Sequence, residues 1–135
     1  MALQYSVTVR NAQLDAFESA IGTSAVLKIR SGSAPASCAT ADSGTVLVTM
    51  NLPSDWMAAA SSGSKAKSGT WEDTSADATG TAAHFRIYAS DGTTCHMQGT
   101  VTATGGGGDM TLDNTSIASG QTVTITSFAI TAGNA

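Results

Sequence analysis

Charge is scarce in this sequence. Only 12% of its 135 residues are Asp, Glu, Lys or Arg, about half of what an ordinary soluble domain carries. The six basic residues, Arg10, Lys28, Arg30, Lys65, Lys67 and Arg86, are scattered and the net charge is −4. Phosphate backbones are held by clustered Lys and Arg, so the sequence predicts no nucleic-acid partner. Aromatic residues are scarce too, at 5%, leaving few large anchors for a core. No run approaches the ~20 apolar residues that a bilayer-spanning helix needs. No charged n-region leads into an apolar stretch at the start. These two absences predict no membrane partner, no secretory signal and synthesis in a cytosol. The two cysteines, Cys38 and Cys95, are too few for a disulfide scaffold. They could pair and tie a loop to a strand, or stay two reduced thiols; geometry decides, and spacing does not supply it.

What is present instead is Ala, Thr, Ser and Gly, which make up about half the chain, with 41% hydrophobic residues overall. That is too apolar for a disordered chain of such low net charge. The length fits a single domain over residues 1–135, able to bury roughly two thirds of its unfolded surface without a metal or disulfide. A neutral, hydroxyl-rich exterior suits lasting contact with copies of itself or with other subunits.

One helix is predicted near the start. Asn11 can cap its N-terminus, Leu14, Phe17 and Ile21 recur on one face, and Gly22 can end it. Tyr5, Val7 and Val9 alternate before it, so residues 1–10 read as an extended arm or an edge strand. An arm of this kind can add a strand to a neighbour's sheet, which makes Tyr5, Val7 and Val9 candidate partner contacts. From Leu27 onward the period is two. Leu27 and Ile29, then Val46, Val48 and Met50, mark strands around a long loop holding Gly32, Pro35, Cys38 and Asp42. Residues 61–69, with Lys65 and Lys67, read as an exposed loop. Residues 83–103 read as a hairpin turning at Ser90-Asp91-Gly92, which sets Ile87 opposite Cys95 and Phe85 opposite Met97. Gly105 to Gly108 reads as a flexible connector. Val123 and Ile125 share one parity while Phe128 and Ile130 share the other, predicting one last strand with a β-bulge near Ser127. With no βα alternation, the fold expected is mainly β: an antiparallel β-sandwich or jelly-roll-like barrel with one short N-terminal α-helix. Its core should include Leu27, Ile29, Val46, Val48, Phe85, Ile87, Met97, Val101, Val123, Ile125, Phe128 and Ile130.

No catalytic set emerges. His84 and His96 fall on one face beside Arg86, but zinc wants three or four ligands and an arginine repels a cation, so both read as surface histidines. There is no G-x-S-x-G elbow, and the glycine run lacks the Lys-Ser/Thr of a phosphate loop. The expectation is no enzyme, no cofactor and no metal. Trp56 and Trp71 fall in loop or edge segments, where they would either stack on a sugar or partner or plug the core or a seam.

Several stretches resemble small virion proteins of tailed bacteriophages. They are Tyr5-Ser6-Val7-Thr8-Val9-Arg10-Asn11-Ala12 running into Leu14-Asp15-Ala16, Ile21-Gly22-Thr23-Ser24-Ala25, Leu52-Pro53-Ser54-Asp55-Trp56-Met57, His84-Phe85-Arg86-Ile87-Tyr88 and Thr124-Ile125-Thr126-Ser127-Phe128. The resemblance implies a virion component of the capsid decoration or cement type, made in the bacterial host cytoplasm. Its partners would be the major capsid protein or other virion subunits, together with self-association. The alternative is a receptor- or glycan-binding β module of a tail or fibre, using Trp56, Trp71 or the loops. No catalytic residue follows from the resemblance.

Overall fold

Alternating apolar residues at Leu27, Ile29, Val48 and Met50 make neighbouring strands with one shared apolar face. In the computed structural model, which describes residues 2–135, β1 (Val26–Arg30) runs antiparallel to β2 (Val46–Asn51), with Leu27 opposite Met50. The other edge of β1 pairs antiparallel with β6 (His84–Tyr88), Ile29 facing Phe85 and Leu27 facing Ile87. β6 pairs with β7 (Cys95–Ala103), and β7 with β8 (Met110–Leu112). The central sheet therefore has the order β2-β1-β6-β7-β8. Three two-stranded sheets complete the body: β3 (Ser64–Ala66) with β11 (Ala129–Thr131), β4 (Trp71–Asp73) with β10 (Val123–Ile125), and β5 (Gly80–Thr81) with β9 (Ser116–Ile117). The chain is mainly β, a curled and mostly antiparallel sandwich-like fold, with one helix α1 (Val7–Ile21) at its start.

The inner face of the central sheet carries Leu27, Ile29, Val48, Met50, Phe85 and Ile87, all buried. Over it lie both tryptophans and Phe128. Ring centroids are 6.0 Å apart for Trp56 and Trp71, 5.6 Å for Trp71 and Phe128, and 5.6 Å, edge to face, for Phe85 and Phe128. Four of the seven aromatics thus form one cluster, where each such pair adds about 0.5–1.5 kcal/mol beyond its buried area.

Several expectations are corrected. Ser6, not Asn11, caps the helix, its hydroxyl accepting from the Val9 N–H. Val7 and Val9 are therefore helical and residues 7–10 form no arm or edge strand. Ahead of them, the Tyr5 N–H donates to the Asn134 carbonyl of the same chain. Asn11 accepts instead from the Gly63 N–H. Starting a turn earlier, the helix needs only Leu14 and Ile21 inside, and Phe17 stays 42% exposed. Lys65 is buried rather than in an exposed loop; its ammonium reaches Asp15, Glu18 and the Ala58 carbonyl at 2.7, 3.0 and 2.9 Å. It pins α1 to β3.

The hairpin is real but slipped by two residues. Phe85 faces Gly99 and Ile87 faces Met97, with a bulge after Ile87. Met97 keeps the face expected for it, but the bulge sets Cys95 opposite Tyr88, on the outer face instead of the inner one. The longer loop is built by Asp91, whose carboxylate accepts from the N–H groups of Thr93 and Thr94. The last segment is two strands rather than one bulged strand: Val123 to Ile125 pairs with β4, and Ala129 to Thr131 with β3. A change of partner, not an inserted residue, switches the face. The glycine run is a tight return to a parallel pairing, Val101 beside Met110. Gly105 and Gly107 have φ of 88° and 80°, and a Cβ on Gly106 or Gly108 would lie 2.8 Å from Thr102 side-chain atoms.

Candidate interaction surface

The helix sets its charges inward and sideways. Arg10 donates to the Ala132 carbonyl, and Asp15 and Glu18 hold Lys65. At 3.6 residues per turn, what remains on the outer flank is Val9, Ala12, Gln13, Ala16, Phe17 and Ala20, all exposed and none charged. Leu3 and Val7 are exposed as well, at 68% and 48%. Beside the flank runs a groove of ≈ 510 Å³ between the helix and the C-terminal residues Thr131 to Asn134. Phe17 lines this groove and also a second one, ≈ 370 Å³, whose walls include Met97 of β7 and Ile130 of β11. The result is a nearly neutral apolar ridge between two depressions.

Of the residues expected to touch a partner, Val9 lies on this flank, while Val7 is exposed on the opposite side of the first turn, both as helix side chains; Tyr5 is half-buried and lines the first groove. Trp56 and Trp71 do not reach solvent at all. Their polar tips are spent internally. The Trp56 indole N–H donates to the Gly22 carbonyl at 3.0 Å, and that of Trp71 lies 3.1 Å from the carbonyls of Trp56 and Ser68. The sequence missed Phe17 as a surface residue because its spacing fits the buried stripe.

A second cluster lies on the outer face of the central sheet, beneath residues 31–45. Arg30, His84, Arg86 and Tyr88 are all buried there. The Asp42 carboxylate accepts from Arg86 at 2.8 Å, Arg30 at 3.0 Å and the Tyr88 hydroxyl at 2.7 Å. The Arg86 guanidinium also donates to the carbonyls of Ser37 and Thr40 and to the Gln98 side-chain oxygen. Burial works against the Asp42 charge, yet the Tyr88 and Arg86 hydrogen bonds hold its carboxyl below the usual value. Burial, then the bond to Asp42, pushes the Tyr88 phenol up.

His84 is not a surface residue. Its Nδ1 lies 2.6 Å from the Gly32 carbonyl, which can only accept, so Nδ1 carries the proton. His96 is exposed. Among the described residues no group of three or more His, Cys, Asp or Glu side chains could hold a metal. Cys38 and Cys95 are unbonded thiols whose sulfurs lie 2.9 Å apart in this cluster. Comparison with protein-family models, curated proteins and solved structures gives no match.

Proposed function

We propose that this chain is a structural subunit of a tailed-bacteriophage virion, of the capsid decoration or cement type. It would stabilise the shell by contact with the major capsid protein and with copies of itself. The observation that carries the reading is the uncharged, apolar outer flank of α1 with Phe17 between two grooves. Such a surface gives little long-range electrostatic steering. It favours binding through shape and excluded water, as in lasting contacts between subunits. The low charge of the whole chain and its resemblance to small virion proteins support the same reading. The tail or fibre alternative loses its best anchors, since neither tryptophan is exposed.

Copy number tests it. Densitometry of purified particles should find the protein in hundreds of copies; tens or fewer would assign it to a tail and overturn the proposal. Phe17→Asp should leave the melting temperature of the isolated protein nearly unchanged, as surface substitutions do, while sharply reducing its occupancy on particles.

A further inference from the structure

The loop of residues 31–45 carries no large apolar residue and is held onto the sheet by polar contacts. Arg86 grips the carbonyls of Ser37 and Thr40, flanking Cys38 in sequence, and the Gln98 amide donates to the Pro35 carbonyl at 2.7 Å. These contacts hold Cys38 against Cys95 at the start of β7, with the sulfurs 2.9 Å apart. A formed disulfide needs about 2.05 Å, so the approach is nearly complete before any bond exists. Both thiols are half-buried and line a surface cleft with Thr40, Ala41, Thr93 and Thr94. A small oxidant can reach them there.

We propose that Cys38 and Cys95 form an oxidisable clasp, which a low-molecular-weight disulfide converts into an intramolecular bond locking residues 31–45 over the buried arginines. The Cys38 thiolate attacks one sulfur of the small disulfide, making a mixed disulfide and releasing one small thiolate, which takes up a proton. Cys95 then loses its proton to solvent, and its thiolate attacks the Cys38 sulfur and expels the second small thiolate. The protein gives up two electrons and two protons, and the small disulfide leaves as two thiols. Cys38 goes first because burial and the neighbouring Cys38 sulfur push the Cys95 thiol up to about 12. Capping Cys38 removes that sulfur's contribution; burial still holds the Cys95 thiol up, and Arg86 works against it, favouring the thiolate. Since the thiolate is the reacting species, oxidation should quicken as pH rises. The clasp lies apart from the α1 surface and does not depend on the virion reading.

The test uses the full chain with oxidised glutathione, against a control kept in dithiothreitol. Intact mass should fall by two hydrogens, and peptide mapping without reduction should join Cys38 to Cys95. The bond spans 57 positions, so constraining the unfolded chain should raise the melting temperature by on the order of 10 °C. Cys95→Ser should stop at a glutathione adduct on Cys38 and show no such rise. The proposal is overturned if the folded chain keeps both thiols under conditions that oxidise the urea-unfolded chain. It is equally overturned if the product is a dimer linked between chains.

Discussion

On its inner face the central sheet buries Leu27, Ile29, Phe85 and Ile87 against Trp56, Trp71 and Phe128; on its outer face it buries Arg30, His84, Arg86 and Tyr88 beneath the 31–45 loop. The inner face is held by area and packing, which are non-directional. The outer face is held by bonds with named partners, and each polar group taken from water needs one. Nearly all have one; Arg30 Nε and His84 Nε2 do not. This division also explains the neutral exterior. Three of the six basic residues, Arg30, Lys65 and Arg86, are inside, so the surface is poorer in charge than even the composition implies.

The largest expected difference between the faces follows from truncation. Phe85→Ala removes a ring packed edge to face on Phe128 and should cost about 3–5 kcal/mol, in the range for a buried Phe. The urea midpoint measures it. On the outer face, Asp42→Ala leaves two buried guanidiniums without their carboxylate. Breaking a buried pair costs about 3–5 kcal/mol, but the Asp42 side chain is 35% exposed, so about 2–3 is expected. If Asp42→Ala costs nothing, the outer face is held by the loop's backbone contacts and not by its ion pairs.

The inner face was legible from sequence because apolar alternation at period two fixes which side is buried. Its strands, register parity and most of its core follow from that pattern. The outer face alternates just as strictly, with Lys28 and Arg30 on β1 and His84, Arg86 and Tyr88 on β6, but polar alternation reads as a wet face. Nothing periodic in residues 31–45 says that the loop folds back to cover it. The tryptophans were illegible for a related reason: they sit in irregular segments, and only the tertiary fold brings the carbonyls of Gly22, Trp56 and Ser68 to their indoles. The α1 surface was half legible. Its apolar residues were visible, but placing the cap at Asn11 rather than Ser6 assigned Phe17 to the core and Val7 and Val9 to an extended arm or edge strand.

The smallest expected effect is the one that separates the faces most cleanly, because only the outer one is held by ion pairs to a carboxylate. Asp42 has its carboxyl held below the ordinary 3.8, as burial is outweighed by the bonds from Tyr88 and Arg86. Above about pH 5 the carboxylate is ionised in both folded and unfolded chains, and its contribution is complete. Below 3.8 the unfolded chain takes up a proton that the folded chain refuses, so stability falls as pH falls, until the folded carboxyl also protonates. The melting temperature should therefore be flat from pH 5 to 6 and drop by a few degrees toward pH 3. Asp42→Asn should flatten part of that drop. A remainder should persist from Asp15, lowered by its bond to Lys65, and from Asp91, lowered by its bonds to Thr94 and Thr93. Phe85→Leu, by contrast, should shift the whole profile down and leave its slope unchanged, since the ring it trims makes no bond to a titrating group. Identical slopes for Asp42→Asn and the native chain would mean that the outer-face carboxylate adds nothing to stability, and the contrast between the two faces would lose its electrostatic half.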